Sequence, residues 1–185
     1  MKIDSSLIAS NIFLRTLTTK DITPRYLSWL SDPEVNRYLE IRFTPPRNLE
    51  ELKNFIIAVN DSDDSLILGI FLKSEGYHIG NIKLGPIDFN HTTGDIGLLI
   101  GDRGQWGKGY ARIAIKLLSD FSFAKLGLFK LTAGCYGSNQ GSRRAFLNAG
   151  FVEEGRRTDQ YGLDGQREDA VLFGKINPSF EKVRR

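Results

Sequence analysis

Apolar and polar residues alternate with period two over Asn11–Leu17, which predicts a first strand, and the polar Thr18–Asp21 suits the capping of a helix over Ile22–Leu30. Pro33 and Pro45-Pro46 interrupt any regular element before a second helix over Leu49–Val59. That helix opens after Asn48, with Glu51 three residues on in the manner of a capping box. Three runs rich in Ile, Leu, Phe and Tyr follow, Ser65–Lys73, Tyr77–Leu84 and Asp95–Ile100, and their Gly and Asn punctuation predicts an antiparallel meander. The period then lengthens: Ala111, Ala114, Ile115, Leu117, Leu118 and Phe121 recur at helical spacing. Leu128–Cys135 reads as a further strand and Ser142–Asn148 as a short helix ended by Gly150. Phe151–Thr158 and Ala170–Ile176 read as a closing hairpin about Leu163-Asp164-Gly165. No internal repeat or low-complexity segment interrupts the pattern.

A length of 185 residues suits one domain, placed here at residues 1–178 with a basic tail over 179–185. Hydrophobic residues at 41% and charged residues at 25% exclude a disordered or fibrous chain. The longest apolar runs, Ile96–Ile100 and Ser65–Leu72, fall far short of the roughly 18 residues of a membrane span. Lys2 and Asp4 with no apolar core after them do not make a signal peptide, so a cytoplasmic protein is expected. The single Cys135 allows no intrachain disulfide, and no Cys/His cluster suggests a metal. Of the formal charge of +3, the tail Glu181–Arg185 carries three positive charges and one negative, leaving +1 for the rest. A nucleic-acid partner is therefore not expected, because such proteins concentrate Lys and Arg on one face.

Chemistry enters at Gln105-Trp106-Gly107-Lys108-Gly109-Tyr110-Ala111, where a strand ends and a helix begins. Small residues let the backbone approach a phosphate, the first helical amides point at it and the helix dipole favours its charge. The same residues also make an ordinary turn. A P-loop is excluded, since Lys108 lies between the glycines and no Ser or Thr follows. A dinucleotide fold is disfavoured, since the motif follows an antiparallel meander late in the chain.

With its neighbours, the motif resembles the GNAT superfamily of acetyl-coenzyme A dependent N-acetyltransferases, in the branch of Rim-type ribosomal-protein acetyltransferases and bacterial amino-sugar acetyltransferases. Leu14-Arg15 with Asp21 and Trp29, Ile79-Gly80-Asn81-Ile82, Trp106–Ala111, and Asn139, Ser142, Phe146 and Ala149-Gly150-Phe151 carry the resemblance in order and spacing. The resemblance implies an α/β (α+β) domain with a mixed, mostly antiparallel sheet of about seven strands flanked by helices. It also implies a splay beside the strand ending near Cys135, and a homodimer. It implies that acetyl-CoA is bound by Leu99, Ile100, Arg103, Trp106, Gly107, Lys108, Gly109, Tyr110 and Ala111, with Asn139, Ser142 and Phe146 along the pantetheine arm, and that no metal takes part.

Many members of that superfamily carry a tyrosine where this chain has Phe146, so the usual general acid is missing. Ser142 is the nearest hydroxyl by motif position, although a serine at a helix start also satisfies a backbone amide. The attacking amine must lose a proton. Asp95, where related enzymes place a glutamate, is the first candidate base; a strand-end carboxylate that is solvated or caps a turn is the other reading of it. Glu153 follows, then Glu154, His78 and His91, with His78 expected on a strand surface and His91 in a polar turn. Cys135 is expected to be a buried hydrophobe rather than a nucleophile. Trp29, Tyr38, Arg156 and Tyr161 are the expected acceptor-side residues. The arginines suit an anionic acceptor, Trp29 and Tyr38 also suit helix packing, and a solvated edge also accounts for the arginines. The function implied is acetyl transfer from acetyl-CoA to a primary amine, a protein amino terminus or an amino-sugar nucleotide, in a ternary complex with no membrane partner. The alternative is a coenzyme-binding sensor without catalysis.

Overall fold

A computed structural model describes residues 1–181. Eight strands form one sheet in the order β1-β2-β3-β4-β5-β6-β8-β7: β1 Leu7–Ile8, β2 Ile12–Thr16, β3 Leu66–Leu72, β4 His78–Asp88, β5 Thr93–Ile100, β6 Lys130–Tyr136, β7 Val152–Leu163 and β8 Gln166–Ile176. The helices are α1 Pro24–Ser31, α2 Pro33–Asn36, α3 Leu49–Asp61, α4 Tyr110–Ala124, α5 Gln140–Asn148 and α6 Pro178–Glu181. All pairings are antiparallel except β5 with β6, the pair that α4 connects by a crossover. The mostly antiparallel α/β architecture is as expected, with β1 as an eighth, two-residue edge strand.

The period-two alternation sorts the strands onto two faces. Leu66, Leu68 and Ile70 of β3, Ile82 and Leu84 of β4, Ile96 of β5 and Leu131, Ala133 and Cys135 of β6 pack with Ala114, Ile115 and Leu118 of α4. Ile67 and Phe71 of β3 turn the other way, onto Tyr26, Trp29 and Leu30 of α1 and Leu52 and Ile56 of α3. The intervening β5 and β6 positions, Asp95, Gly97 and Leu99 with Thr132, Gly134 and Tyr136, therefore share the face that carries α1 and α3.

Several boundaries differ from the sequence pattern for local reasons. Thr18–Asp21 does not cap α1; it forms its own 3-10 turn over Thr19–Asp21, and α1 starts one turn later, capped by Thr23 and opened by Pro24. The proline-rich stretch holds α2, capped by Asp32, and a 3-10 turn over Glu40–Phe43. Helix α5 begins at Gln140 rather than Ser142, because Asn139 is its cap. The closing hairpin is longer than expected on both arms. Asp164 and Gly165 both have positive φ, at 50° and 77°, so a two-residue turn lets β7 and β8 pair up to Leu163↔Gln166. The expected end at Thr158 is a register shift between Arg157 and Tyr161 with Asp159 at φ 53°, and the strand resumes beyond it. At the carboxyl end the expected boundary at 178 falls within α6, whose Phe180 packs edge-on against Phe129 at 5.5 Å. The part of the basic tail over 182–185 lies outside the described residues.

Candidate active site

Strands β5 and β6 pair only at Thr93↔Lys130, Gly94↔Leu131 and Asp95↔Thr132. Beyond these, β5 stays bonded to β4 as far as Ile100 and β6 to β8 as far as Tyr136, but no pairing joins them to each other. The two strands diverge and leave facing backbone edges. Asp95 and Thr132 stand at the apex of that V, and the Thr132 hydroxyl donates to Asp95 Oδ2 at 2.8 Å. Asp95 as a residue is open to solvent, yet protein packed about the carboxyl raises its pKa, against the opposing Thr132 hydrogen bond and Lys83 charge. A carboxylate whose proton affinity is raised is better suited to accept a proton.

The far end of β5 runs into the glycine turn. Gly107 and Gly109 have φ of 74° and 80°, and a Cβ at either would meet nothing within 4 Å, so backbone conformation rather than crowding calls for glycine. No side chain caps α4 at Gly109, which leaves its first amides to solvent or an anion. Trp106 fixes the turn, its indole Nε1 donating to the Ile100 carbonyl at 2.7 Å. Arg103 is committed elsewhere: it pairs with Glu34 at 2.9 Å and Asp32 at 3.6 Å, tying the turn to α2. Lys108 donates to Gln105 Oε1 at 3.0 Å and, like Arg112 on the first turn of α4, has no carboxylate partner among the described residues. Tyr110 packs on the main core and Leu99 on the smaller one.

At the other wall, Asn139 Oδ1 accepts from the Ser142 amide at 3.0 Å, so this asparagine closes the helix start. The Cys135 thiol lies beside Ser142, and burial holds its pKa at about 11 against the opposing influence of that serine. Cys135 is thus buried and protonated at neutral pH, in line with its expected inert role. Phe146 is 1% exposed, stacked on Phe173 at 5.7 Å and edge-on to Phe151 at 5.2 Å. Its expected place on the pantetheine arm is corrected to the core: its apolar ring is held there by two phenylalanines.

Other expected residues fall into structural roles. Glu153 accepts from Arg143 at 3.0 Å and Arg156 at 2.9 Å, and the Arg156 bond, with Arg143 in support, holds its carboxyl below the ordinary range despite some burial. A carboxylate so stabilised is a weaker base than Asp95, and Glu153 stands in an ion-pair cluster with Arg143 and Arg156. Arg156 is bound by Glu153 at 2.9 Å and lies 3.9 Å from Asp169, so its charge is already partly balanced within the hairpin. Trp29 is 5% exposed and wedged against Gly101 and His78, a packing role in place of an acceptor one. His78, expected on a strand surface, is buried among Phe71, Trp29 and Tyr26, and its Nε2 lies 2.9 Å from both the Gly80 carbonyl and Asn81 Oδ1. Desolvation lowers its pKa, so it stays neutral. His91 is exposed in the turn before β5, as expected.

The structure does bring Tyr38 and Tyr161 together, through a residue the sequence pattern did not single out. Tyr136 at the end of β6 stacks on Tyr161 at 4.2 Å and tilts against Tyr38 at 5.5 Å. The Tyr161 hydroxyl lies 3.9 Å from where a Cβ on Gly134 would stand, over the open edge of β6. Burial, with nearby negative charge, raises the pKa of both Tyr136 and Tyr161, so their hydroxyls remain protonated.

A sheet opened at one parallel pair, with an uncapped glycine turn at one end of the V and a carboxylate at its apex, is an arrangement for holding a long anionic donor beside an acceptor. Residues 11–152 match the family described as an acetyltransferase (GNAT) domain. The chain belongs to the GNAT acetyltransferase family. An uncharacterized N-acetyltransferase, p20, of Bacillus licheniformis is 27% identical over 178 residues, which cover 95% of this chain and 98% of that protein. Among solved structures, the spermidine N-acetyltransferase of Vibrio cholerae in complex with CoA and spermine superposes with a TM-score of 0.81 at 21% identity, over 94% of this chain and 99% of that one. The ribosomal-protein-S5-alanine acetyltransferase of Vibrio fischeri gives 0.74 at 22% identity, over 95% and 98%. These two likenesses establish the GNAT fold. Among the described residues, no helix is long and apolar enough to cross a membrane and no group of three His, Cys, Asp or Glu side chains could hold a metal ion.

Proposed function

We propose that this GNAT protein transfers the acetyl group of acetyl-CoA directly to a primary amine in a ternary complex, with Asp95 as the base. The observation that carries the reading is the V between β5 and β6, with Asp95 and Thr132 at its apex. The pyrophosphate is held by the amides about Gly107, Gly109 and Ala111, with Lys108 and Arg112 supplying positive charge. The pantetheine arm lies along the unpaired edges of β5 and β6, whose backbone amides are free to stabilise the thioester oxygen as charge develops on it. The acceptor ammonium gives its proton to Asp95, directly or through water. The amine nitrogen then attacks the thioester carbon, the carbon–sulfur bond breaks, and the second proton that the nitrogen sheds passes to the departing thiolate or to water as the amide forms. A thiolate is a stable enough leaving group to depart without the tyrosine that Phe146 replaces.

The test is release of free coenzyme A from acetyl-CoA across a panel of amines, with calorimetric coenzyme binding alongside. In Asp95→Asn, kcat should fall by about a hundredfold or more while coenzyme affinity stays within about twofold. Unchanged turnover across pH would remove Asp95 from the role. Coenzyme binding without turnover by any amine would favour a sensor, a reading that the burial of Phe146 and the absence of a hydroxyl there already makes worth separating.

A further inference from the structure

Beside the tyrosines lies a cavity of about 520 Å³, walled by α2 and the 3-10 turn over Glu40–Phe43 on one side and the tip of the β7–β8 hairpin on the other. Its volume is that of a small-molecule site. The charged side chains lining it are Arg37, Arg42, Arg167 and Asp164. Arg37 is neutralised by Asp164, Nη2 to Oδ2 at 2.5 Å. Arg42 is not: its guanidinium donates to the carbonyls of Gly162, at 2.7 Å, and Arg37, both uncharged acceptors. Arg167 has no carboxylate partner among the described residues. Two positive charges therefore face the cavity without compensation.

Arg42 also links this cavity to the V. Its guanidinium carbon sits 5.1 Å from the centre of the Tyr136 ring, which stacks on Tyr161 above Gly134. Charges of both signs meet along that line: Arg42 acts on the Tyr136 hydroxyl, the carboxylates of Glu40 and Glu168 oppose it, and Asp95 lies further on at the apex. From the cavity to the apex the order is positive, aromatic with charges of both signs nearby, then negative.

We infer that the acceptor is a small amine whose far end carries an anionic group, a carboxylate or a phosphate, seated on Arg42 and Arg167 while its ammonium passes the tyrosines towards Asp95. Guanidinium groups suit either anion through paired N–H donors. An extended polycation would meet the two free arginines with its trailing charge, so this site selects against polyamines. The inference rests on the acetyl-transfer reading, and the experiment separates the two.

Coenzyme A release is measured for the full chain with four-carbon amines that differ only at the far end: 1,4-diaminobutane, 4-aminobutanol, 4-aminobutanoate and 4-aminobutyl phosphate, with spermidine beside them. One or both anionic amines should exceed the neutral one in kcat/KM by about tenfold or more and the cationic ones by a wider margin. The better of the two identifies the anion. Arg42→Ala and Arg167→Ala should each raise KM for the anionic amine several-fold, leaving kcat and the neutral amine little changed, and Arg167→Glu should shift preference towards diaminobutane. Arg167 lies on an exposed strand position, so its variants keep the fold even where Arg42→Ala does not. Equal or better turnover of spermidine, or an equal loss for all amines in the arginine variants, would overturn the inference while leaving acetyl transfer intact. Should no amine release coenzyme A, acetyl transfer falls, and the cavity is judged by calorimetry with 4-aminobutyl phosphate: binding abolished by Arg167→Glu sustains the anionic site, and no binding to the unaltered protein refutes it.

Discussion

Asp21 joins the end of β2 to the start of α1, and replacing it by asparagine tests how that joint is held. Oδ2 accepts from Arg15 Nη1 at 2.7 Å, the Thr18 amide at 2.7 Å and the Thr18 hydroxyl at 2.9 Å, while Oδ1 accepts only from Arg15 Nη2 at 2.6 Å. In Asp21→Asn the amide oxygen keeps the three-donor side, which leaves the new NH2 facing a guanidinium nitrogen. One charge-assisted bond becomes a donor–donor contact, and Arg15 loses its counter-charge. Such a bond is worth about 1.5–3 kcal/mol. Asp21 is 8% exposed, but the Arg15 side chain at 33% can partly rehydrate, so the expected loss is about 2 kcal/mol, or roughly 4–8 °C in Tm for a chain of this length. The pH dependence gives a sharper check. Burial pushes the Asp21 carboxyl up, yet Arg15 and Thr18 together outweigh it and hold the folded pKa below the ordinary value. The contribution is therefore complete above the unfolded pKa of about 3.9 and is lost as pH falls through the lower folded value. Urea unfolding of both proteins from neutral pH downwards should show a constant gap that closes only below that point. A gap under about 0.5 kcal/mol at neutral pH, or one that does not close in acid, would refute the assignment.

Three other outcomes follow from particular contacts. In Gly101→Ala the new Cβ would stand 2.1 Å from Trp29 Cδ2, and because Trp29 is hemmed in by His78 and Tyr26 the cost should be about 2 kcal/mol or more; a thermal melt unchanged within error would show that the indole moves freely. Trp106→Phe removes the indole bond to Ile100 at an exposed site, so stability should change by under about 1 kcal/mol while KM for acetyl-CoA rises several-fold; an unaltered KM would mean the turn is held without it. Cys135, buried with a pKa of about 11, should react with a thiol reagent at mildly alkaline pH only after denaturation, and prompt labelling of the native protein would contradict its burial.

The elements that could be read from the sequence are those whose own pattern decides them. Helix α4 has an apolar stripe along its length, and β3 is a nearly continuous apolar run because both its faces are covered. The glycine turn was legible because two left-handed residues before a helix leave few alternatives to Gly. What escaped depends on partners distant in the chain. His78 looks like any polar strand residue until Tyr26, Trp29 and Phe71 close around it. The tyrosine group is assembled from positions 38, 136 and 161, and its central member sits at the end of a strand with no local motif to mark it. Glu153 resembled a possible base because nothing in sequence announces that Arg143 and Arg156 would both reach it. The outer half of β7 is polar because it is an edge strand, so it lacks the alternation that betrays a half-buried one.

The three residue pairs between β5 and β6 also make a mechanical seam. On one side stand five strands, on the other three, and apart from the two-residue edge strand β1 each group is zipped internally along longer ladders. Relative twisting of the two groups thus concentrates at this line, with Thr93–Asp95 acting as the pivot. A donor molecule laid along both open edges would add bonds from each group to itself and act as a removable rivet across the seam. Loading the protein with coenzyme should accordingly stiffen it, raising its melting temperature with ligand concentration and slowing amide exchange on both sides of the V together.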